Sequence, residues 1–243
     1  MKVRLTVVGC SPAWPNPGGA QSGYLVEAQG RRLLLDCGPG VLARLREVES
    51  WPTVDAIAIT HFHLDHWGDL VPWVWGTAFG LGRERPRPAL WVHPGGRERL
   101  RDFGSRLGRE AMFEGCFEVE EYADGVPFAA AGFEVTAGRL PHYRLETYGF
   151  RVAGDGRSLA YSGDSAPSEQ LVDLARDVDL FVCEATLERG ELDGRTRGHL
   201  SAAEAIAAFE ASGARRLLLT HRPQELPVDG GLDLAHDGLV LEL

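Results

Sequence analysis

Short apolar runs alternate with longer amphipathic stretches along this chain, and the alternation occurs twice. Short runs rich in Val, Leu, Ile and Phe predict buried β-strands, whereas apolar residues three and four positions apart predict helices. In the first half, strands are predicted at residues 3–8, 24–28, 32–36, 56–60 and 90–93, and helices at 41–48, 68–79 and 97–107. In the second half, strands are predicted at 133–137, 147–152, 159–162, 180–183 and 216–220, and helices at 168–175 and 201–212.

The two halves share a short sequence pattern at the end of a buried strand. Ile57-Ala58-Ile59-Thr60-His61 in the first half is matched by Leu217-Leu218-Leu219-Thr220-His221 in the second. The pattern predicts an α/β fold made of two related halves, with both Thr-His strand ends at one seam. The last helix carries its own start signal, because Ser201 precedes it and Glu204 stands three residues on, which is the spacing of a capping box.

Length and composition indicate one globular domain. With 243 residues and 44% apolar content, the chain can bury a full core as a single domain spanning residues 1–243. The four cysteines show no Cys-x-x-Cys spacing, so we expect neither a disulfide framework nor a thiolate zinc site, and a cytoplasmic location. No apolar run approaches the roughly 20 residues of a transmembrane helix, and the apolar stretch 5–8 is too short for a signal peptide.

Three histidines and an aspartate occupy six positions directly after the apolar run 56–60, in the order His-Phe-His-Leu-Asp-His. At a strand end, alternation directs His61 and His63 the same way. Asp65 and His66 then come off the following turn towards a second position. Imidazole nitrogens and a carboxylate oxygen suit zinc, and also manganese or iron. The six residues therefore predict two neighbouring metal sites, and the alternative is a solvated loop that happens to be rich in histidine.

Other strand ends carry further candidates. His142 and His221 each follow an apparent strand, and Asp164 stands directly after the predicted strand 159–162. An ionised carboxylate at that place could bridge two cations, although an aspartate in the sequence Ser-Gly-Asp-Ser is more often a turn residue. The other candidate ligands, which also stand at strand ends, favour the interpretation of Asp164 as a metal ligand.

This set of residues resembles the metallo-β-lactamase-fold hydrolases, and the resemblance covers nearly the whole chain in order. It implies a four-layer αββα sandwich with a dinuclear metal centre in the cleft between the two halves. One metal would be held by His61, His63 and His142, the other by Asp65, His66 and His221, with Asp164 bridging them. Leu34-Leu35-Asp36-Cys37-Gly38 is similar to an early strand-and-turn motif of the family. The expected cofactors are two divalent cations, zinc in the first place, with manganese or iron as alternatives.

Two further motifs are similar to those of ribonuclease Z and its phosphodiesterase relatives. Glu184, in Glu-Ala-Thr, follows the predicted strand 180–183, and His199, in Gly-His-Leu-Ser, precedes the last helix. The resemblance implies that Glu184 hydrogen-bonds one ring nitrogen of His199. A hydroxide activated by two metals would attack phosphorus, and His199 would protonate the leaving oxygen or stabilise the charge that develops on the phosphoryl group. Asp65, Glu184 and His199 are therefore the predicted catalytic residues. The alternative for His199 is a polar residue at a helix start.

The chain departs from ribonuclease Z in ways that favour a small substrate. Standard ribonuclease Z enzymes carry a flexible tRNA-binding arm between the counterparts of His142 and Asp164, but here two predicted strands take up most of that short segment. Cys183 stands where ribonuclease Z usually has histidine. The formal net charge of -10 also disfavours the binding of a long RNA through Lys and Arg.

We therefore predict a metal-dependent phosphodiesterase that cleaves a small phosphodiester, such as a cyclic nucleotide, without a membrane partner. Homodimers are common among the similar enzymes. Two alternatives stay open: a ribonuclease Z-type endonuclease for tRNA 3′ processing, and a non-catalytic carrier of metal or ligand on the same fold. Lactone or thioester hydrolysis is also open. The sequence does not establish whether Trp73, Trp75 or Cys183 line the pocket.

Overall fold

The computed structural model describes residues 2–226 and 231–243 as two packed β-sheets flanked by helices. The strands are β1 (Arg4–Gly9), β2 (Gly23–Ala28), β3 (Arg31–Leu35), β4 (Ala56–Ala58), β5 (Ala89–Val92), β6 (Glu118–Glu121), β7 (Pro127–Ala130), β8 (Phe133–His142), β9 (Leu145–Gly154), β10 (Arg157–Tyr161), β11 (Leu180–Glu184), β12 (Leu217–Thr220) and β13 (Val240–Glu242). The helices are α1 (Val41–Val48), α2 (Leu64–Trp67), α3 (Leu70–Phe79), α4 (Gly96–Arg106), α5 (Glu169–Leu174) and α6 (Ala202–Ser212), and a 3-10 turn spans Gly190–Asp193.

The strand order brings the ends of β4 and β12 to the same seam. The first sheet has the order β13-β1-β2-β3-β4-β5-β6, and the second has the order β12-β11-β10-β9-β8-β7. Strands β3 to β6 pair in parallel, and so do β10, β11 and β12. Because parallel strands direct their carboxyl ends to one edge of a sheet, the loops after them collect functional side chains.

The buried core fills three spaces between four layers. Inward-facing side chains of both sheets, such as Leu5, Phe150 and Val182, form the cluster between the sheets. A second cluster lies between the first sheet and α1, α3 and α4, and a third lies between the second sheet and α5 and α6. The layers therefore follow the order of the predicted αββα sandwich. Among the described residues, no helix has the length and apolar character that a membrane span requires.

Most predicted elements are present, and the differences have local causes. The predicted strand 133–137 continues to His142 because β8 pairs with β9 along its whole length, although Gly138 and Pro141 are typical of strand ends. The predicted helix 68–79 begins two residues later, as α3 at Leu70, and a short helix that the sequence does not predict, α2, precedes it. The sequence does not predict β6, β7 or β13, because β6 is mostly charged and β13 is only 3 residues long. Ser201 and Glu204 form the predicted capping box.

Candidate metal centre

The histidine-rich motif follows β4 at the edge of the first sheet. This strand ends at Ala58, so His61 lies in the loop that follows, and α2 begins directly after His63. His63 has extended backbone, whereas Asp65 and His66 lie within the helix. The change from loop to helix directs the two pairs of side chains into two different clusters of donor atoms.

The first cluster consists of His61, His63, His142 and Asp164, whose donor atoms lie within 4.8 Å of one another. His142 comes from the end of β8 and Asp164 from the loop after β10, so the second sheet supplies half of the donors. Nε2 of His142 lies 3.1 Å from Nδ1 of His63 and 3.8 Å from Oδ2 of Asp164. Nε2 of His61 lies 3.7 Å from the same carboxylate oxygen. Such spacings suit ligands of one ion, because zinc lies about 2 Å from each ligand atom.

The second cluster consists of Asp65, His66, Asp164 and His221. Nε2 of His221 lies 3.1 Å from Oδ2 of Asp65 and 3.5 Å from Oδ1 of Asp164. Nε2 of His66 lies 3.4 Å from Oδ2 of Asp65 and 3.2 Å from Oδ1 of Asp164. Asp164 thus faces the first cluster with Oδ2 and the second with Oδ1, which is the arrangement that a bridging carboxylate requires.

Buried polar atoms without a partner lie at the centre of both clusters. Nε2 of His61, Nε2 of His66 and Oδ1 of Asp164 are buried and have no hydrogen-bond partner in the described part of the chain. Buried polar atoms normally have a partner, because leaving one unpaired costs about 1–3 kcal/mol. The donors are imidazole nitrogens and carboxylate oxygens, which suit zinc, manganese and iron. The residues present therefore fit a pair of divalent cations.

The protonation of these groups also suits cations. Burial holds the pKa of His61 well below its ordinary value, so its imidazole is neutral, as a ligand must be. Burial disfavours the charged form of Asp164, but His221 and His66 outweigh it and hold the pKa of Asp164 well below its usual range. Burial likewise disfavours a charged His66, yet the carboxylates of Asp164 and Asp36 raise its pKa well above the ordinary value. A bound cation would take over the balancing charge from that proton.

Asp36 orients the ring of His66 by accepting a hydrogen bond from Nδ1, the nitrogen that points away from the donor cluster. The aspartate follows β3 in the left-handed backbone region, with φ 59°, and is fully buried. Its Oδ2 accepts hydrogen bonds from Nδ1 of His66 at 2.7 Å and from the hydroxyl of Tyr161 at 2.8 Å. Its Oδ1 accepts the backbone N–H of Thr60 at 2.8 Å. With its proton on Nδ1, His66 presents Nε2 to the cluster. The sequence does not assign Asp36 a role, although it stands at the end of an apolar strand in the motif Leu34-Leu35-Asp36-Cys37-Gly38, which resembles one of the family.

Similar contacts orient His142 and His221. Nδ1 of His142 lies 2.6 Å from the carbonyl oxygen of Gly198, to which it can only donate. Nδ1 of His221 lies 2.9 Å from the hydroxyl oxygen of Thr186, and this hydroxyl donates to Oε2 of Glu184 at 2.8 Å. Nε2 of each histidine then faces the donor cluster. Thr186 is a second orienting residue to which sequence reasoning gives no role.

Glu184 and His199 form a hydrogen-bonded pair beside both clusters. Oε1 of Glu184, which is fully buried at the end of β11, lies 2.9 Å from Nδ1 of His199. Burial opposes the charged form of His199, but Glu184 outweighs it and raises the pKa of His199 to about 9. The ring of His199 lies 4.9 Å from that of His142 and 5.9 Å from that of His221. Within the described residues, Nε2 of His199 makes no hydrogen bond and is free to donate one.

Trp73, Trp75 and Cys183, whose place relative to the pocket the sequence does not establish, lie apart from the two donor clusters. Trp73 is buried between α3 and the first sheet, and Cys183 is buried on the helix side of the second sheet. Trp75 is partly buried, and its ring stacks on that of Phe79 at 5.9 Å. The segment between His142 and Asp164 consists of β9, β10 and short connections. It therefore contains no insertion like the tRNA-binding arm of standard ribonuclease Z enzymes.

Comparison with known proteins extends over nearly the whole chain. The family described as Beta-lactamase superfamily domain matches residues 31–222, which include both clusters. The protein Rv1339 of Mycobacterium tuberculosis is 35% identical over 229 residues, which is 92% of this chain and 82% of that protein. Ribonuclease Z of Myxococcus xanthus is 29% identical over 307 aligned positions, with 99% of this chain and 98% of that protein covered. Because this alignment is longer than the chain, that ribonuclease Z contains insertions that the chain lacks.

A solved structure shares the whole fold. The probable metallo-hydrolase YhfI of Bacillus subtilis is 27% identical over 223 residues, which is 91% of this chain and 87% of that protein. Its crystal structure matches with a TM-score of 0.86 at 24% sequence identity and covers 100% of both chains. This match confirms the predicted fold class.

Proposed function

Because the chain belongs to the β-lactamase superfamily and is a metallo-hydrolase of that fold, we propose that it is a phosphodiesterase for small phosphodiesters such as cyclic nucleotides. The hydrogen-bonded pair of Glu184 and His199 beside the two donor clusters carries this proposal. Phosphodiester cleavage needs a proton for the leaving oxygen, and a histidine held by a buried carboxylate supplies one. A carrier that only binds a ligand has no need of such a donor.

The seven donor side chains would hold the cations in two groups. His61, His63 and His142 would bind one cation, Asp65, His66 and His221 the other, and Asp164 both. Zinc is the first candidate, and manganese and iron are alternatives that accept the same ligands. When bound, the two cations would lower the pKa of a water molecule, and their positive charge would neutralise the negative charge of the phosphate oxygens.

His199 would act as the general acid. Its imidazole is positively charged near neutral pH, because its pKa is raised to about 9. Glu184 holds Nδ1, so the proton on Nε2 is the one available for the leaving oxygen. A positioned acid of this kind contributes about 10² to 10⁴ in rate. The same charge would attract the phosphate group before the reaction.

Two observations support a small substrate over precursor tRNA. The short connection from His142 to Asp164 leaves no arm to hold a long RNA, and the net charge of -10 opposes a polyanion. A ribonuclease Z-type endonuclease remains the second candidate, because of the similarity to ribonuclease Z of Myxococcus xanthus. The homodimer and the cytoplasmic location stay predictions.

The test is hydrolysis by protein of known metal content. Substrates are bis-p-nitrophenyl phosphate, 2′,3′- and 3′,5′-cyclic nucleotides and a precursor tRNA, and the variants are His199→Ala and, as matched control, the exposed His236→Ala. We expect metal-dependent cleavage of the small diesters, a loss of about 10² to 10⁴ in His199→Ala and no change in the control. Faster cleavage of tRNA than of every small diester would favour the endonuclease. Bound metals without cleavage of any phosphodiester would refute both, and lactones and thioesters would be tested next.

A further inference from the structure

Four arginines line one groove at the end of α3, apart from the metal ligands. Three of them stand in the loop after α3 and one in the turn after α4: Arg83, Arg85, Arg87 and Arg109. Val74 and Met112 contribute apolar surface to this arginine groove, whose volume is ≈ 420 Å³. None of the residues of the two donor clusters lines it. The groove is therefore a separate feature of the molecule.

The groove carries positive charge that carboxylates compensate only in part, although the protein as a whole is acidic. The chain has 35 acidic and 25 basic residues, yet Arg85 and Arg109 make no ion pair within residues 2–226 and 231–243. In the described part of the chain, the Arg83 side chain donates only to a backbone carbonyl, that of Ala78. Arg87 also donates to a backbone carbonyl, and it approaches one carboxylate, that of Glu118, to 4.0 Å. A ligand with several negative charges would balance this group of guanidinium ions.

The guanidinium of Arg109 is held in position by aromatic rings. It lies over the ring of Trp75 at 5.3 Å and over that of Phe79 at 5.4 Å. The two rings are themselves stacked, 5.9 Å apart with an interplanar angle of 15°. A guanidinium that stacks on a ring keeps the N–H donors in its own plane available to an anion. Phe79 is 66% exposed, so aromatic surface remains open beside the charge.

We propose that the arginine groove binds a small organic ligand with two or more phosphate groups, of the nucleoside diphosphate class. Its volume of ≈ 420 Å³ lies within the range of about 300–1,000 Å³ that is typical of small-molecule sites. The planar guanidinium matches phosphate oxygens in pairs. The exposed ring of Phe79, which contacts Arg109 from outside the groove lining, offers a base a surface on which to stack. The net charge of -10 opposes a long polyanion and so favours a small ligand over an RNA strand. This site is independent of the phosphodiesterase proposal.

The test is the binding of ADP to the metal-loaded protein, measured by calorimetry and by tryptophan fluorescence. We expect a double variant, Arg85→Ala with Arg109→Ala, to weaken binding by about tenfold or more. The matched control is Arg106→Ala, which removes an exposed arginine from the last turn of α4 that does not line the groove. Hydrolysis of bis-p-nitrophenyl phosphate should be equal in all these proteins, which separates the groove from the metal centre.

Several outcomes would overturn this proposal. They are the absence of ADP binding to the wild-type protein, and ADP binding that persists unchanged in the double variant. Inorganic phosphate that binds as tightly as ADP would show a simple anion site. A short single-stranded RNA that binds more tightly than ADP, and loses its affinity in the double variant, would assign the groove to nucleic acid.

Discussion

The hydroxyl group of Tyr143 donates a hydrogen bond of 2.8 Å to Oδ1 of Asp193. The other oxygen of Asp193 accepts the backbone N–H groups of Gly198 at 2.6 Å and of His199 at 2.9 Å. Tyr143 directly follows His142 at the end of β8, and its ring lies edge-on to that of His199 at 5.5 Å. One tyrosine therefore links a candidate metal ligand to the loop that positions the candidate proton donor.

Tyr143→Phe should lower kcat for phosphodiester cleavage about three- to tenfold, which corresponds to about 0.7–1.4 kcal/mol. The ring remains, but Asp193 loses one of the hydrogen bonds that fix it, and the His199 backbone becomes less well positioned. KM and metal content should not change, because the donor clusters are untouched. Steady-state kinetics with metal analysis measures each quantity.

A double-mutant cycle distinguishes positioning through Asp193 from a direct effect of the hydroxyl. Asp193→Ala should lower kcat further than Tyr143→Phe does. Adding Tyr143→Phe to the Asp193→Ala variant should then have no further effect on kcat. Tyr148→Phe is the matched control, since its hydroxyl donates to Glu146 at 2.9 Å, outside the His199 loop. Effects that multiply in the double variant would show that Tyr143 does not act through Asp193.

Asp36→Asn should weaken the binding of one metal about 10- to 100-fold, as loss of a partner behind a ligand histidine typically does. The asparagine amide has no negative charge to hold the proton on Nδ1 of His66. Both oxygens of Asp36 accept hydrogen bonds, from His66 and from the backbone N–H of Thr60, so the NH₂ group of the amide would face a donor in either orientation. Chelator competition with metal analysis measures the affinity. The control is Asp55→Asn, a carboxylate that accepts the backbone N–H of Arg32 at 2.8 Å. Unchanged affinity in Asp36→Asn, with the fold intact by circular dichroism, would disprove the orienting role.

His63→Ala should remove one of two metals per chain and leave the other. His63 belongs only to the cluster with His61 and His142, whereas the cluster around His221 keeps all its donors. Mass spectrometry under native conditions counts the ions directly, and His236→Ala provides a matched histidine loss outside both clusters. Two fully occupied sites in the His63→Ala protein would exclude His63 as a ligand.

The sequence predicts those site residues that stand where an apolar run ends. His61 and His221 follow buried strands with the same Thr-His pattern, and the structure brings their clusters together at one seam. Buried strands are recognisable without tertiary information, because their apolar runs are continuous. This is why an α/β fold of two related halves follows from the pattern, whereas the four-layer αββα order comes from the resemblance to the metallo-β-lactamase-fold hydrolases. The similarity to YhfI confirms the fold class.

Residues that act through contacts between distant segments escape sequence reasoning. Asp36 and Thr186 orient histidines that lie 30 and 35 positions away in the chain. Both stand in motifs that resemble those of the family, but no local pattern indicates which histidine each of them contacts. The same limit applies to β8, where pairing with β9 overrides the local preferences of Gly138 and Pro141. Tertiary pairing decides these cases, and periodicity does not report it.

The four cysteines are all free and buried, which makes stability depend on pH in the alkaline range. Burial, with a contribution from the carboxylate of Asp237, raises the pKa of Cys10 to about 12. Burial likewise raises the pKa of Cys37 and of Cys183 well above the ordinary value. An unfolded thiol has a pKa of about 8.5, so above that pH the unfolded chain loses protons that the folded chain keeps. The thiol contribution to stability is therefore complete below about pH 8 and declines as pH rises.

The free energy of unfolding, measured with urea, should accordingly decrease between pH 8 and pH 10, and Cys10→Ala should reduce the slope because one thiol fewer titrates. Native protein at pH 9 should not react with a thiol reagent, whereas urea-unfolded protein should expose all 4 cysteines. Reaction of native Cys183 at pH 9 would place its thiol within reach of the cleft rather than in the helix-side core. Cys116, which is also buried, serves as the internal reference in the same peptide map.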